Sequence, residues 1–307
     1  MAGTGDAQRV DVTEGVMEWE GRRTWYRVTG SLEPDAALAP VVTVHGGPGA
    51  THDYLLAMAD LAGDGRAVVH YDQVGNGRSS RHPDADPASW TIELFVDELA
   101  RLVRHLGIER SFHLVGQSWG GMLGPEFALA HPEGLRSLTI CDSPASMELW
   151  LKAANRLRAD LPPEVQATLL RHEAAGTTDD AEYTAAMQVF YDRHVCRVLP
   201  NPPEVAASFA AMEADPTVYH TMNGPSEFHV IGSLLPWSLI DRLPGLRVPT
   251  LVVAGAYDEA QPETWQPFLD HLPDVRSHVF PESSHMPHVE EPQAFLDVVG
   301  EFLSAHD

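Results

Sequence analysis

Residues 115–121 read Val-Gly-Gln-Ser-Trp-Gly-Gly. A Gly-x-Ser-x-Gly between a β-branched run and a helical run is a nucleophile elbow, because small flanking residues let the chain turn sharply and project the hydroxyl of Ser118. A serine hydroxyl is a weak nucleophile at neutral pH. The reading therefore demands a base, a carboxylate to orient it, and N–H donors for an oxyanion. The alternative, an ordinary glycine-rich turn, makes no such demands.

Each demand has a matching residue. Asp258 ends the run Thr-Leu-Val-Val-Ala-Gly-Ala-Tyr-Asp, and His285 lies in Pro-Glu-Ser-Ser-His-Met-Pro-His, directly after the last strand-like run. Serine, aspartate, histidine is the chain order expected of such an elbow. His288 competes for the base role; further along and nearer the closing helix, it reads more readily as a structural neighbour. For the oxyanion, residues 45–49 (His-Gly-Gly-Pro-Gly) follow a strand-like run. Glycine amides approach a ligand closely and Pro48 has none to offer, which favours the N–H groups of Gly47 and Trp119 while Gly46 stays open. Gly75-Asn76-Gly77 lacks the third glycine of a phosphate loop, and His285-x-x-His288 lacks the partners of a metal site. Neither a cofactor nor a metal is expected.

Elements that could position these residues are visible around them. A hairpin is expected over residues 16–28, with its turn at Glu-Gly. Buried strands are expected at 41–45, 66–72, 111–116, 135–142, 250–258 and 276–281, and helices at 53–62, 91–106, 119–130 and 292–304. This alternation implies an α/β fold with a mostly parallel sheet covered on both faces. It stops between Cys141 and Pro249, where residues 147–161 and 180–195 look helical and proline-rich breaks such as 199–205 separate them. The expected organisation is a core over residues 1–143, a helical insertion over 144–240 and a second part of the core over 241–307. Trp150, Phe190, Tyr191, Phe228 and Trp237 in the insertion read more readily as core than as substrate contacts. Low complexity is confined to the first few residues.

Composition narrows the partners. A chain of 307 residues with 44% hydrophobic content accommodates one large domain, or a core with an insertion. A formal charge of −24 without a basic block argues against a nucleic-acid partner, although it would draw a cationic substrate. No apolar run reaches the ~18 residues of a membrane helix, and the start lacks an apolar signal region, so a cytoplasmic protein without membrane association is expected. Cys141 and Cys196 lack disulfide or zinc-site patterning and read as two reduced thiols. Oligomeric state is not legible.

Taken together, His-Gly-Gly-Pro-Gly-Ala-Thr-His-Asp-Tyr-Leu (45–55), Tyr-Asp-Gln-Val-Gly-Asn-Gly-Arg-Ser-Ser (71–80), Gly-Gln-Ser-Trp-Gly-Gly (116–121), Gly-Ala-Tyr-Asp-Glu (255–259) and Ser-Ser-His-Met-Pro-His-Val-Glu-Glu-Pro (283–292) resemble the proline iminopeptidase family of α/β-hydrolases. The likeness is to its smaller, tricorn-interacting aminopeptidase-like members, and it runs from the first hairpin to the C-terminus. It implies the α/β-hydrolase fold with a helical cap, and a triad at Ser118, Asp258 and His285. It further implies two glutamates that hold a substrate's free amino terminus: Glu227, in the match to Asn-Gly-Pro-x-Glu-Phe, and Glu259, directly after the triad aspartate. Physically, two carboxylates in a lidded pocket repel and resist desolvation, and a substrate ammonium neutralises them. The pairing of Glu227 with a nearby arginine and of Glu259 with solvent is the plainer alternative.

Three function classes follow. The first is a serine aminopeptidase or amino-acid amide hydrolase acting through an acyl-enzyme on a small peptide or aminoacyl amide. A related amidohydrolase that removes an aminoacyl group from a natural-product intermediate is the second. The third is a carboxylesterase or carbon–carbon bond hydrolase, which would need the triad but neither glutamate; a noncatalytic binding protein on the same fold is more remote.

Overall fold

The computed structural model describes residues 11–33 and 37–307; the low-complexity start of the chain lies outside the described residues. Two antiparallel strands open the fold, β1 (Val12–Trp19) and β2 (Arg22–Thr29). The hairpin is longer than its sequence signal, and its turn residues Glu20 and Gly21 both have positive φ, 46° and 76°, as a tight two-residue hairpin turn requires. Then follow β3 (Val41–Val44), β4 (Val68–Tyr71), β5 (Phe112–Gln117), β6 (Leu135–Cys141), β7 (Thr250–Gly255) and β8 (Val275–Phe280). The eight strands form one sheet in the order β1-β2-β4-β3-β5-β6-β7-β8, antiparallel at β1-β2 and β2-β4 and parallel elsewhere.

Successive side chains on a strand face opposite ways, and the central strands use both faces. Val42, Leu114 and Val252 enter one core layer, whereas their neighbours Val41, Val115, Leu251 and Val253 enter the other. Double-sided burial explains why these strands read as continuous apolar runs. Helices α1 (Ile92–His105) and α2 (Trp119–Ala130) lie on the first face. α1 starts at Thr91, whose Oγ1 accepts from the Leu94 amide, and ends on Arg104 and His105, which suit the negative end of the helix dipole.

Between β6 and β7 the described residues form helices and turns without a strand of the sheet. The helices are α3 (Met147–Ala159), α4 (Pro163–Ala175), α5 (Ala181–His194), α6 (Pro203–Ala214) and α7 (Thr217–Met222). After β7 come α8 (Pro262–His271), α9 (Pro287–Glu290) and α10 (Pro292–Ser304). Several of these helices had no sequence expectation, because a proline opens them. α4, α6 and α8 carry proline in the first turn, where its missing N–H costs nothing, so residues that look like breaks are helix starts.

The segment expected as a helix over 53–62 is a 3-10 helix, His52–Asp64. Its early carbonyls are engaged from outside: Tyr54 O lies 3.1 Å from His288 Nε2 and Leu55 O 3.1 Å from His70 Nε2. Such side-chain competition favours a tighter, irregular helix over regular i to i+4 bonding. Both cysteines are free and buried, and among the described residues no helix is long and apolar enough to cross a membrane.

The loops leaving the C-terminal ends of β3, β5, β6, β7 and β8 share one edge of the sheet, where open α/β sheets bind ligands. At the β5-α2 junction the two backbones are nearly in contact: a Cβ on Gly116 would collide with the Gly120 carbonyl, and one on Gly120 with the Val44 carbonyl. Gly116→Ala is expected to cost about 1–3 kcal/mol of stability through this overpacking. Denaturant unfolding measures it, and an unchanged midpoint would contradict the close approach.

Candidate active site

Ser118 occupies the turn between β5 and α2 with φ 55° and ψ −120°, a conformation strained for a residue with a side chain. The turn is held by the Ser118 amide, which donates to Cys141 O at 2.9 Å, and by the Gly121 amide, which donates to Ser118 O at 2.8 Å. Ser118 thereby reaches two adjoining cavities, and Gly47 and Glu227 line both of them. His285 lines the first, whose apolar wall includes Val205, Phe209, Met212 and Met286. Trp119 and Trp150 line the second.

His285, which lines the same cavity as Ser118, is held through both its ring and its backbone. Its Nδ1 lies 2.7 Å from Asp258 Oδ1, which also accepts the Ala260 amide at 2.9 Å, and its carbonyl accepts from Gln117 Nε2 at 2.8 Å. Burial disfavours the imidazolium, but Asp258, Glu227 and Glu290 outweigh it and hold the His285 pKa above its ordinary value. His288 differs in every respect. Its Nε2 is committed to the Tyr54 carbonyl, and burial drives its pKa down to about 3, so it stays neutral.

The oxyanion candidates separate in the same way. The Gly46 N–H donates to Tyr54 Oη at 2.7 Å, and Tyr54 Oη donates to Gln117 Oε1 at 2.5 Å, so Gly46 is spent on the scaffold. Gly47 has φ 110°, a region that favours glycine, and lines the serine cavity. Trp119 opens α2, where first-turn amides have no intrahelical acceptor, and its indole Nε1 donates to buried Gln73 at 2.9 Å. Gln73 in turn anchors His45 at the head of the loop: its amide donates to His45 Nε2 at 3.0 Å, and burial lowers the His45 pKa to about 4.

Both glutamates approach this centre. Glu227 accepts from Tyr219 Oη at 2.7 Å through Oε1, and its backbone carbonyl accepts from Trp150 Nε1 at 2.8 Å. The expected alternative of an arginine partner for Glu227 is not realised among the described residues. Glu259 is fully buried, its Oε1 lies 3.8 Å from His285 Nε2, and neither carboxyl oxygen has a hydrogen-bond donor among the described residues. Burial, then Glu227, then Asp258 push Glu259 well above the usual carboxylate range; burial also raises Glu227, against the pull of Tyr219 and His285. The site thus carries more carboxyl groups than its own cations can neutralise.

Some participants left little trace in the sequence. Gln117 sits inside the elbow motif, but its bridge to His285 is a tertiary contact. Tyr219 precedes Glu227 by a helix turn and a loop, and its hydroxyl is in turn hydrogen-bonded to Tyr191. Of the insertion aromatics, Phe190 and Phe228 meet edge to face within the core at 5.0 Å, whereas Trp150 makes the same kind of contact with the His285 ring at 5.9 Å. A cluster of His172, Asp180 and Glu182 brings ligand atoms within 4.8 Å, but Arg171 lies 2.5 Å from Glu182 and Asp180 caps α5, so those groups are engaged in an ion pair and a cap.

Comparison with known proteins identifies the fold and the family. Residues 39–292 match the alpha/beta hydrolase fold family. The chain is 36% identical over 293 residues to a proline iminopeptidase of Heyndrickxia coagulans, covering 95% of this chain and 99% of the relative. Among solved structures, it superposes on a proline iminopeptidase of Mycobacterium smegmatis with a TM-score of 0.88 and 54% identity, over 96% of this chain and 98% of the other. VinJ gives a TM-score of 0.94 at 54% identity, over 96% and 99%. With an eight-stranded α/β sheet, a serine at its elbow and full-length relatives of this kind, the chain belongs to the proline iminopeptidase family of α/β-hydrolases.

Proposed function

We propose that this protein is a serine aminopeptidase or amino-acid amide hydrolase that cleaves the bond after a free N-terminal residue. Glu259 carries the reading: a fully buried carboxyl group beside His285 and Glu227 with no donor on either oxygen. A substrate ammonium brings a positive charge and two N–H donors from an N-terminal proline, or three from any other residue. Removing one partner of such a contact typically costs about 2–5 kcal/mol, or roughly 30-fold to several thousand-fold in transition-state binding, enough to define a substrate class.

In the proposed reaction, Ser118 Oγ attacks the carbonyl carbon of the N-terminal residue while His285 Nε2 takes its proton and Asp258 holds the Nδ1–H. The oxyanion is received by the Gly47 and Trp119 amides. As the tetrahedral species collapses, His285 protonates the departing amine and an acyl-serine remains. Water, activated by the same histidine, releases the amino acid. Residues 144–240 act as a cap in this scheme: they supply Glu227, its Tyr219 support and the apolar wall from α6.

The same apparatus would remove an aminoacyl group from a larger natural product. The apolar wall of Val205, Phe209 and Met212 favours an apolar group on one side of the scissile bond and gives that second reading its basis. Aminoacyl anilides with small and with bulky apolar leaving groups distinguish them, bulky groups being preferred only in the second case.

Aminoacyl chromogenic amides, proline and alanine first, should be cleaved with a free α-amine and not after N-acetylation; equal turnover of both forms would sink the amine clamp. Glu227→Gln should lower kcat/KM for amino amides roughly 30-fold or more while changing a simple acetate ester little. An equal loss on both substrates would make Glu227 structural. Tyr219 donates to the Glu227 carboxylate and so holds its pKa down, which makes Tyr219→Phe raise it and strip the clamp of charge at a higher pH. The acid limb of kcat/KM should move up by at least about half a pH unit for free-amine substrates and stay put for the acetate ester.

A further inference from the structure

A second acid stands under the triad candidates. Asp142 directly follows β6, is fully buried and has φ 53°, a left-handed conformation that costs a non-glycine residue of order 1–3 kcal/mol. Strand pairing fixes its place: Cys141 is in register with Val253 of β7, and the Asp142 amide donates to Val253 O at 2.8 Å. The Gly255 amide donates to Asp142 Oδ1 at 3.2 Å. Asp258, at the end of the same β7 segment, receives both His285 Nδ1 and the Ala260 amide on its Oδ1. This leaves Asp142 Oδ2 and Asp258 Oδ2 without a donor among the described residues, while the two side chains are within hydrogen-bonding contact of each other.

Two ionised carboxylates cannot persist in contact in a buried site, and one proton between them removes the repulsion and satisfies both oxygens. Asp258 already has two donors that stabilise its charge, whereas Asp142 has one. We infer that Asp142 is a positioning residue, a neutral carboxylic acid whose Oδ2–H donates to Asp258 Oδ2. Burial and the Asp258 charge push the Asp142 carboxyl well above the usual range, and Glu290 of α9 adds to this. The other titratable groups facing it, Cys141 of β6 and Tyr54 of the 3-10 helix, are themselves held protonated by burial.

The bond would fix the plane of the Asp258 carboxylate so that Oδ1 stays on the imidazole, and would draw off part of the charge that His285 feels. His285 also faces Glu259, Glu227, Glu290 and neutral His288, so its acid limb is a sensitive reporter. The role rests on the triad reading above, and the test separates the two.

The assay is pH-dependent hydrolysis of p-nitrophenyl acetate, which does not need the amine clamp. Asp142→Asn exchanges one neutral donor for another and should keep kcat/KM within about threefold and the acid limb within about 0.3 pH unit. Asp142→Leu removes the donor and should lower kcat about tenfold or more with KM little changed, while moving the acid limb upward. A downward shift of about one unit in Asp142→Asn, the signature of a lost negative charge, would overturn the proposal, as would identical profiles for the two variants. Should Asp142→Leu fail to fold, the infrared difference between wild type and Asp142→Asn decides, since any band from Glu259 is common to both: a protonated-carboxyl C=O band that the wild type has in excess supports the shared proton, and a difference spectrum without one refutes it. Ester turnover that survives Ser118→Ala would sink the serine reading alone, since the infrared band reports Asp142 regardless.

Discussion

Four carboxyl groups, Asp142, Glu227, Asp258 and Glu259, converge at the C-terminal edge of the sheet, three of them fully buried, and the cost of holding negative charge there governs their surroundings. Burying an unpaired charge costs several kcal/mol even after relaxation, so each group needs a donor, a cation or a proton. Asp258 has the imidazole and a backbone amide. Tyr219 supports Glu227 through a neutral hydroxyl that can stabilise charge without adding any. Glu259 has neither kind of help: it is fully buried, no donor reaches either carboxyl oxygen among the described residues, and its Oε1 lies 3.8 Å from His285 Nε2.

The elbow imposes the complementary constraint. Ser118 holds φ 55° at a turn where the chain passes close to itself, Gly116 against the Gly120 carbonyl and Gly120 against the Val44 carbonyl. The surrounding polar contacts tie neighbouring loops to that turn and to one another. Tyr54 and Gln117 join the Gly46 loop to the His285 loop, and Gln73 ties Trp119 to His45. Both histidines in this scaffold, His45 and His288, are kept neutral by burial, which leaves His285 as the imidazole that retains affinity for a proton.

Legibility in the sequence followed physical locality. Central strands were readable because burial on both faces demands uninterrupted apolar residues, and the elbow because sterics demand glycine at fixed spacing. Helices α4, α6 and α8 were not, since a proline at the first turn has the same letter as a proline that ends a helix. The 3-10 geometry of His52–Asp64 depends on imidazoles from β4 and α9, far away in the chain. The same reason hides Tyr219 and Asp142: nothing around Cys141-Asp142-Ser143 signals that its carboxyl meets one that follows another strand.

Charge balance, more than the nucleophile, is therefore where this site differs from what an esterase requires. A serine, a histidine and an aspartate suffice for acyl transfer to water, and a neutral ester gains nothing from further acids. Adding Glu227 and Glu259 raises the cost of the empty site and lowers it again only for ligands that carry a cation at the right distance from the carbonyl. Selectivity in such a pocket comes from the penalty that other substrates leave unrelieved. The overall charge of −24 acts at longer range in the same sense, concentrating cations near the surface without specifying which one fits. The fit itself is local: the proposed clamp requires an ammonium one carbon from the reacting carbonyl, and an internal peptide bond has no such group to present.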